Sequence, residues 1–240
     1  LQSRGLGDVY KRQLVRNLGI AAGGTVMEDC RVLEACREGK YTSVLVQSHD
    51  KKYVEYRTEH FVNALGSGAG KLCDSMGIDA GLYPVRHQAF ITRRLPMLGK
   101  HGTNLDMLID RQDYKGFSAV YGQQIAYTGQ IIGCASPKLD AMRIDKNLKV
   151  NTKAFLEIVS EMFSEWIPDL AGVGIQAVWA GYYTEPRYIV DPELGLFVGM
   201  RGHGFMLSQY IARMYVDKLL GRPVPEYFEK LKLNGPGLSE

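Results

Sequence analysis

The clearest periodic pattern in the chain is the spacing of Phe155, Ile158, Val159, Met162 and Phe163. Steps of three and four put all five on one face of a helix. Asn151 stands where an N-cap is needed, and Pro168 where the helix must stop. Elsewhere the apolar runs are short and separated by turn residues. Arg31 to Arg37 and Thr42 to Gln47 read as strands around a Glu38-Gly39-Lys40 turn, and Tyr53 to Arg57 as a third. Phe61 to Gly66 reads as an apolar strand running into glycines, then a helix from Ala69 to Met76 stopped by Gly77. From Leu82 the pattern predicts an antiparallel sheet: Tyr83 to Thr92, Leu105 to Asp110, Phe117 to Tyr121 and Ile125 to Ile132. Ile175 to Tyr183 and Leu194 to Val198 are further strands. The second enters a glycine-rich loop ahead of a helix from about Met206 to Leu220.

The beginning of the sequence is read separately. Leu14 to Leu18 has the look of a last helical turn closed by Gly19. Asp8-Val9-Tyr10-Lys11-Arg12-Gln13 resembles an in-frame translation of a sequencing adapter, so residues 1–13 are expected to be non-native and the natural start lost. The alternative is a genuine basic, Gly-rich segment.

Composition narrows the function classes. Apolar residues are 45% and charged residues 23%, enough to bury a globular core. A net charge of +3 with interspersed signs implies no nucleic-acid partner. No apolar run is long enough to span a membrane and no signal-peptide pattern opens the given sequence, so the expected location is cytoplasmic, with a membrane-peripheral contact left open. Cys30, Cys36, Cys73 and Cys134 have no zinc-type spacing, and the five histidines no i, i+4 pair, so no metal site is expected.

Three stretches could carry chemistry. Asn63-Ala64-Leu65-Gly66-Ser67-Gly68 joins a buried strand to a helix through small residues, which allows close backbone approach to a ligand. A tight turn with no ligand would look the same. Gly202-His203-Gly204-Phe205-Met206 again leads from a strand into a helix, whose first N–H groups could face an electron-rich ring edge. A capping or packing role for His203 is the alternative. Tyr183 and Arg187 lie in an aromatic stretch, where an Arg fork would suit a carboxylate substrate. Pairing of Arg187 with Glu185 or Asp191 is the plainer possibility.

In this order the stretches resemble the D-amino-acid oxidase, sarcosine oxidase and glycine oxidase family of flavoproteins, over about Leu14 to Leu220. Val62-Asn63-Ala64-x-Gly66 is similar to the family's VNAAGAW segment. Pro84-Val85-Arg86-x-Gln88 is similar to its PVRGQ strand, Trp179 to Thr184 to its substrate-side strand, and Gly202-His203-Gly204-Phe205 to its GHGF loop. The resemblance implies an α/β (α+β) fold: a partial Rossmann-like FAD-binding domain with an inserted antiparallel-sheet substrate domain. The expected boundaries are 14–80 with 190–222 for the first, 81–189 for the second, and a tail at 223–240.

The implied chemistry is oxidation of an amine or amino acid by FAD: a hydride passes from the carbon next to nitrogen to flavin N5, and the imine then hydrolyses. The cofactor contacts it implies are Arg31 and Val32 on the adenine side, Asn63, Ala64, Gly66 and Gly68, and Gly202 to Met206 at the pyrimidine edge. His203, Tyr183 and Arg187 are the candidate catalytic residues. There are departures. GxGxxG and the acidic residue after the next strand are absent, so the chain is expected to be an incomplete, inactive fragment. The family's Trp is Gly68 and its Pro-Asp is Pro186-Arg187. A common Lys is Met206, which favours a dehydrogenase over an oxidase. The electron acceptor is left open. A non-catalytic subunit of a flavoprotein complex, or an FAD dehydrogenase for a hydroxy substrate, are the competing readings.

Overall fold

In the computed structural model, residues 6–99, 104–112, 116–125, 128–137 and 152–235 are described. The chain divides into two compact units, Leu1–Tyr83 with Thr184–Glu240, and Pro84–Tyr183.

The first unit opens with helix α1, Leu6–Ala21. It begins earlier than the periodicity suggested, and Gly19 lies inside it. The real stop is Gly23, at φ +86°, where Gly23 N–H bonds Ile20 O and Gly24 N–H bonds Gly19 O. A left-handed glycine with these two bonds satisfies the last helical carbonyls. Three antiparallel strands follow, β1 (Arg31–Glu38), β2 (Tyr41–Gln47) and β3 (Tyr53–Thr58), in that order. Helix α2, Ala69–Ser75, covers one face, with Leu72 packed on Ala35, Val44 and Val46.

The second unit is a sheet of five strands ordered β5-β6-β7-β4-β8. They are β4 (Tyr83–Thr92), β5 (Leu108–Asp110), β6 (Phe117–Ile125), β7 (Gln130–Pro137) and β8 (Ile175–Glu185), whose last two residues belong to the first unit. Strands β5, β6 and β7 differ from expectation: β5 is only three residues, β6 runs on to Ile125, and β7 is Gln130–Pro137 where Ile125 to Ile132 was expected. Gln123 and Gln124 continue β6 because ladder bonds to Ile132 and Ile131 hold them there, which no side-chain pattern signals.

Helix α3, Thr152–Trp166, lays its predicted stripe against this sheet, and its five apolar residues are at most 6% exposed. The Asn151 cap lies outside the described residues. Gly122 and Gly133 face each other across β6 and β7, and their lack of Cβ lets rings rest on the backbone. A Cβ on Gly133 would lie 2.5 Å from Phe90 Cζ, and one on Gly122 2.9 Å from Phe163 Cζ. Phe90 then meets Phe163 edge-on at 5.4 Å.

The chain returns to the first unit through strands β9 (Ile189–Asp191) and β10 (Leu196–Val198), an antiparallel pair, of which β9 was not foreseen. Helix α4, Gly204–Leu219, follows a single 3-10 turn at Arg201–His203. It buries Ile211, Met214 and Tyr215 against Val190, Phe228 and Leu231. Phe61–Gly66 is not a strand. Its sheet pairing is the single parallel bridge of Asn63 to Leu196, and Val62 and Leu65 are exposed. Among the described residues no helix is long and apolar enough to cross a membrane.

Phe90 is fully buried between the rings of Phe155 and Phe163. Phe90→Ala should cost about 3–5 kcal/mol through lost burial and the cavity left behind. Urea unfolding of the two proteins measures the difference directly.

Candidate functional site

Asn63, 1% exposed, organises one end of the first unit. Its N–H bonds Gly195 O at 2.8 Å, and its O accepts from Phe197 N at 3.0 Å. Its side-chain amide donates to Ala69 O at 3.0 Å and to Cys73 Sγ at 3.4 Å, while Oδ1 accepts from Leu65 N. The polar capacity of Asn63 is therefore used to hold the framework. Because the bridge to Leu196 is parallel, the segments after Asn63 and after β10 leave from the same end. Ala64, Gly66 and Gly68 are exposed there, and a Cβ at Gly66 would meet nothing within 4 Å.

The segment after β10 is stitched to residues 185–188 by three contacts. Gly199, at φ +72°, lies so close to Arg187 that a Cβ would sit 1.9 Å from the Arg187 carbonyl oxygen. Arg201 takes the unusual φ of +46° and pairs its Nε with Glu185 Oε2 at 2.7 Å. Glu185 is 6% exposed, so this pairing is what makes its buried charge tolerable. The third contact is a hydrogen bond between Tyr188 OH and His203 Nδ1, which fixes the ring of His203. Helix α4 then begins directly after the 3-10 turn, with no side-chain cap. Phe205 and Met206 are exposed beside them, 50% and 66%. Lys11 of α1 donates to Phe205 O and lies 4.2 Å from that ring's centre.

The other expected residues are placed as follows. Arg31 is exposed at the start of β1, and Val32 packs beside Val44 and Val46. Arg187 does not pair with Glu185 or Asp191, nor is it presented as a free fork. Its guanidinium donates to the carbonyls of Leu233 and Gly235, pinning the C-terminal segment. Tyr183 lies in the second unit, stacked on His87 at 3.9 Å between ring centres.

That stack belongs to a cluster that sequence reasoning missed. Alternation along the strands puts Tyr121, Cys134 and His87 on the sheet face opposite the Val120, Ala135 and Phe90 core positions. Burial pushes the Tyr121 hydroxyl well above the usual range, helped by hydrogen bonds with Cys134 and Tyr183. Burial also pushes the Cys134 thiol up to about 11. Both are neutral near pH 7, so this face offers hydroxyl, thiol and imidazole hydrogen-bonding groups without a fixed charge from either. A signal existed: the strand Pro84-Val85-Arg86-His87-Gln88 carries an imidazole on the same side as Ala89, with β7 between it and Tyr121. Recognising it required the strand order.

The family model for FAD dependent oxidoreductases (DAO) matches residues 3–218. The chain belongs to that family. Its fold is shared with glycine oxidase from Geobacillus kaustophilus, at TM-score 0.65 and 18% identity over 90% of this chain and 54% of that one. Iminodiacetate oxidase from Chelativorans sp. BNC1 is similar at TM-score 0.65 and 15% identity, over 92% and 57%. L-amino acid deaminase from Proteus vulgaris, with its specific insertion deleted, is similar at TM-score 0.55 and 17% identity, over 85% and 49%. The chain thus spans about half the length of these structures. No individual curated protein matches it.

The family's FAD fits what the first unit presents. A helix start without a side-chain cap, an exposed Phe205–Met206 surface and an open backbone at Gly66 suit the edge of a ring that gains negative charge. No donor set competes for the site as a metal centre among the described residues. No GxGxxG is present to cradle a pyrophosphate.

Two outcomes follow. Gly199→Ala should destabilise the first unit by about 2 kcal/mol or more, since both a positive φ and a backbone clash oppose a Cβ; thermal melting checks it. A thiol reagent at pH 8 should modify exposed Cys30 and Cys36 but leave buried Cys73 and Cys134 until the chain is unfolded. The raised Cys134 pKa also works against stability in base. Its contribution is complete below pH 9.0 and is lost as pH rises through about 11.

Proposed function

We propose that this chain supplies the flavin-edge loop and the substrate-side sheet of an FAD-dependent enzyme that oxidises an amine or amino acid. The observation that carries the reading is the start of α4: an uncapped helix terminus with His203 held by Tyr188, at the same end as the Asn63–Gly68 loop. When bound, FAD supplies the acceptor for a hydride leaving the carbon next to nitrogen, and the imine product then hydrolyses.

The chain's own groups have distinct parts in this reading. The α4 N–H groups stabilise negative charge at the ring edge. The Glu185–Arg201 pair and Tyr188 keep the loop in that geometry. On the sheet, Tyr121, Tyr183 and His87 orient the substrate. The glycine oxidase, iminodiacetate oxidase and L-amino acid deaminase structures share this fold, which supports an amine or amino acid over other substrates. Without a GxGxxG cradle, the 240-residue chain alone is expected to hold flavin weakly.

The test is the flavin band near about 450 nm, a property of the cofactor. It is recorded for the chain alone and for a longer polypeptide that adds a GxGxxG unit ahead of it. The longer form should retain the band and lose it anaerobically on addition of glycine, sarcosine or proline. Bleaching only by glycerol phosphate would replace the amine reading with a hydroxy-substrate one. Failure of either form to bind flavin would leave a non-catalytic scaffold as the better account.

A further inference from the structure

The first unit contains a polar cavity of about 280 Å³, lined in part by Arg37, Lys40, Thr42, His60 and Tyr215. Its position is instructive. Phe61 and Glu193 also line it, and they precede Asn63 and Leu196 in the two parallel segments. The cavity is therefore at the opposite end of those segments from the loops assigned to flavin.

Its chemistry is that of a donor set. Thr42 and Tyr215 are 4% exposed and both line the cavity. Hydroxyls on a cavity wall can donate to a ligand that enters it. Burial, with the nearby Asp191 charge, pushes Tyr215 up to about 12, so it remains a donor at neutral pH.

The charges around the cavity are unequally matched. The Glu59 carboxylate is taken by Lys40 at 2.8 Å, and the Glu193 carboxylate by Lys232 at 2.8 Å. Arg37 bonds only the Glu193 backbone carbonyl and has no carboxylate partner among the described residues. Exposed His60 adds a further ring at the wall. A guanidinium without a carboxylate partner and two hydroxyls lining one cavity fit a carboxylate or phosphate group, which accepts hydrogen bonds from each.

We propose that this cavity binds a small oxyanion-bearing ligand, with Arg37 as its cation and the Thr42 and Tyr215 hydroxyls as further donors. The volume admits a phosphate or a short dicarboxylate and is too small for a nucleotide cofactor. The site is separate from the flavin loops, so its occupancy does not depend on the oxidoreductase reading.

The test is calorimetric titration of the 240-residue chain with inorganic phosphate and, separately, with malonate, at low salt and without flavin. Saturable binding of at least one probe below about 10 mM is expected, weakened roughly tenfold in Arg37→Gln, which is about 1.4 kcal/mol. Tyr215→Phe keeps the ring that packs edge-on against Phe197 and should weaken binding severalfold without unfolding the chain. Lys71→Gln removes an exposed positive charge from α2, away from the cavity, and should change nothing. Phosphate alone, or malonate alone, identifies which oxyanion the site takes. No saturable binding of either probe, or equal binding by Arg37→Gln, overturns the proposal.

Discussion

The first unit depends on one buried amide. Asn63 is the point where a stretch of chain too short to be a strand is bound to β10 by its backbone and to α2 by its side chain. An apolar residue of the same size could fill the space. It would leave the Ala69 carbonyl without its side-chain partner in a buried place, and the Leu65 N–H without the acceptor it has. The parallel sense of that bridge then decides the geometry of everything after it. Two glycine-containing segments, distant in sequence, leave the same end, while a polar cavity lies at the other.

A second constraint acts on the segment before α4. Residues 185–188 meet residues 199–203 through an ion pair, a backbone contact that only glycine allows, and a Tyr–His hydrogen bond. Arg187 turns its side chain the other way, to the carbonyls of the C-terminal segment. Lys232, between Glu193 and Glu229, fastens that segment again. The strained φ of Arg201 is affordable because its guanidinium neutralises a carboxylate that is 6% exposed. The start of α4 is thus positioned by contacts between residues 185–188 and 199–203.

In the second unit the sheet has two chemical faces. One is apolar and covered by α3, with paired glycines making room for rings. The other holds Tyr121, Tyr183, His87 and Cys134, with the tyrosine and thiol kept neutral by burial. A substrate bound on that face would meet directed hydrogen bonds, whose worth rises as water is excluded.

The amino-acid sequence by itself determined the local elements and the family. The α3 stripe, the three strands of the meander and the helices after Gly68 and Gly204 are set by side-chain periodicity and glycine placement, which act over a few residues. The four ordered segments with FAD-family character were legible for the same reason. Tertiary structure decided the rest. The sequence expectation for Phe61–Gly66 was a strand, but pairing is a property of two segments, and Asn63 alone found a partner. Arg187 had the charge for a substrate carboxylate, yet nearby carbonyls of the tail reached it first. His87, Tyr121 and Cys134 lie on three separate strands, and only the order β6-β7-β4 brings them to one face. Sheet order and long-range hydrogen bonds depend on which distant groups meet, and no local pattern encodes that.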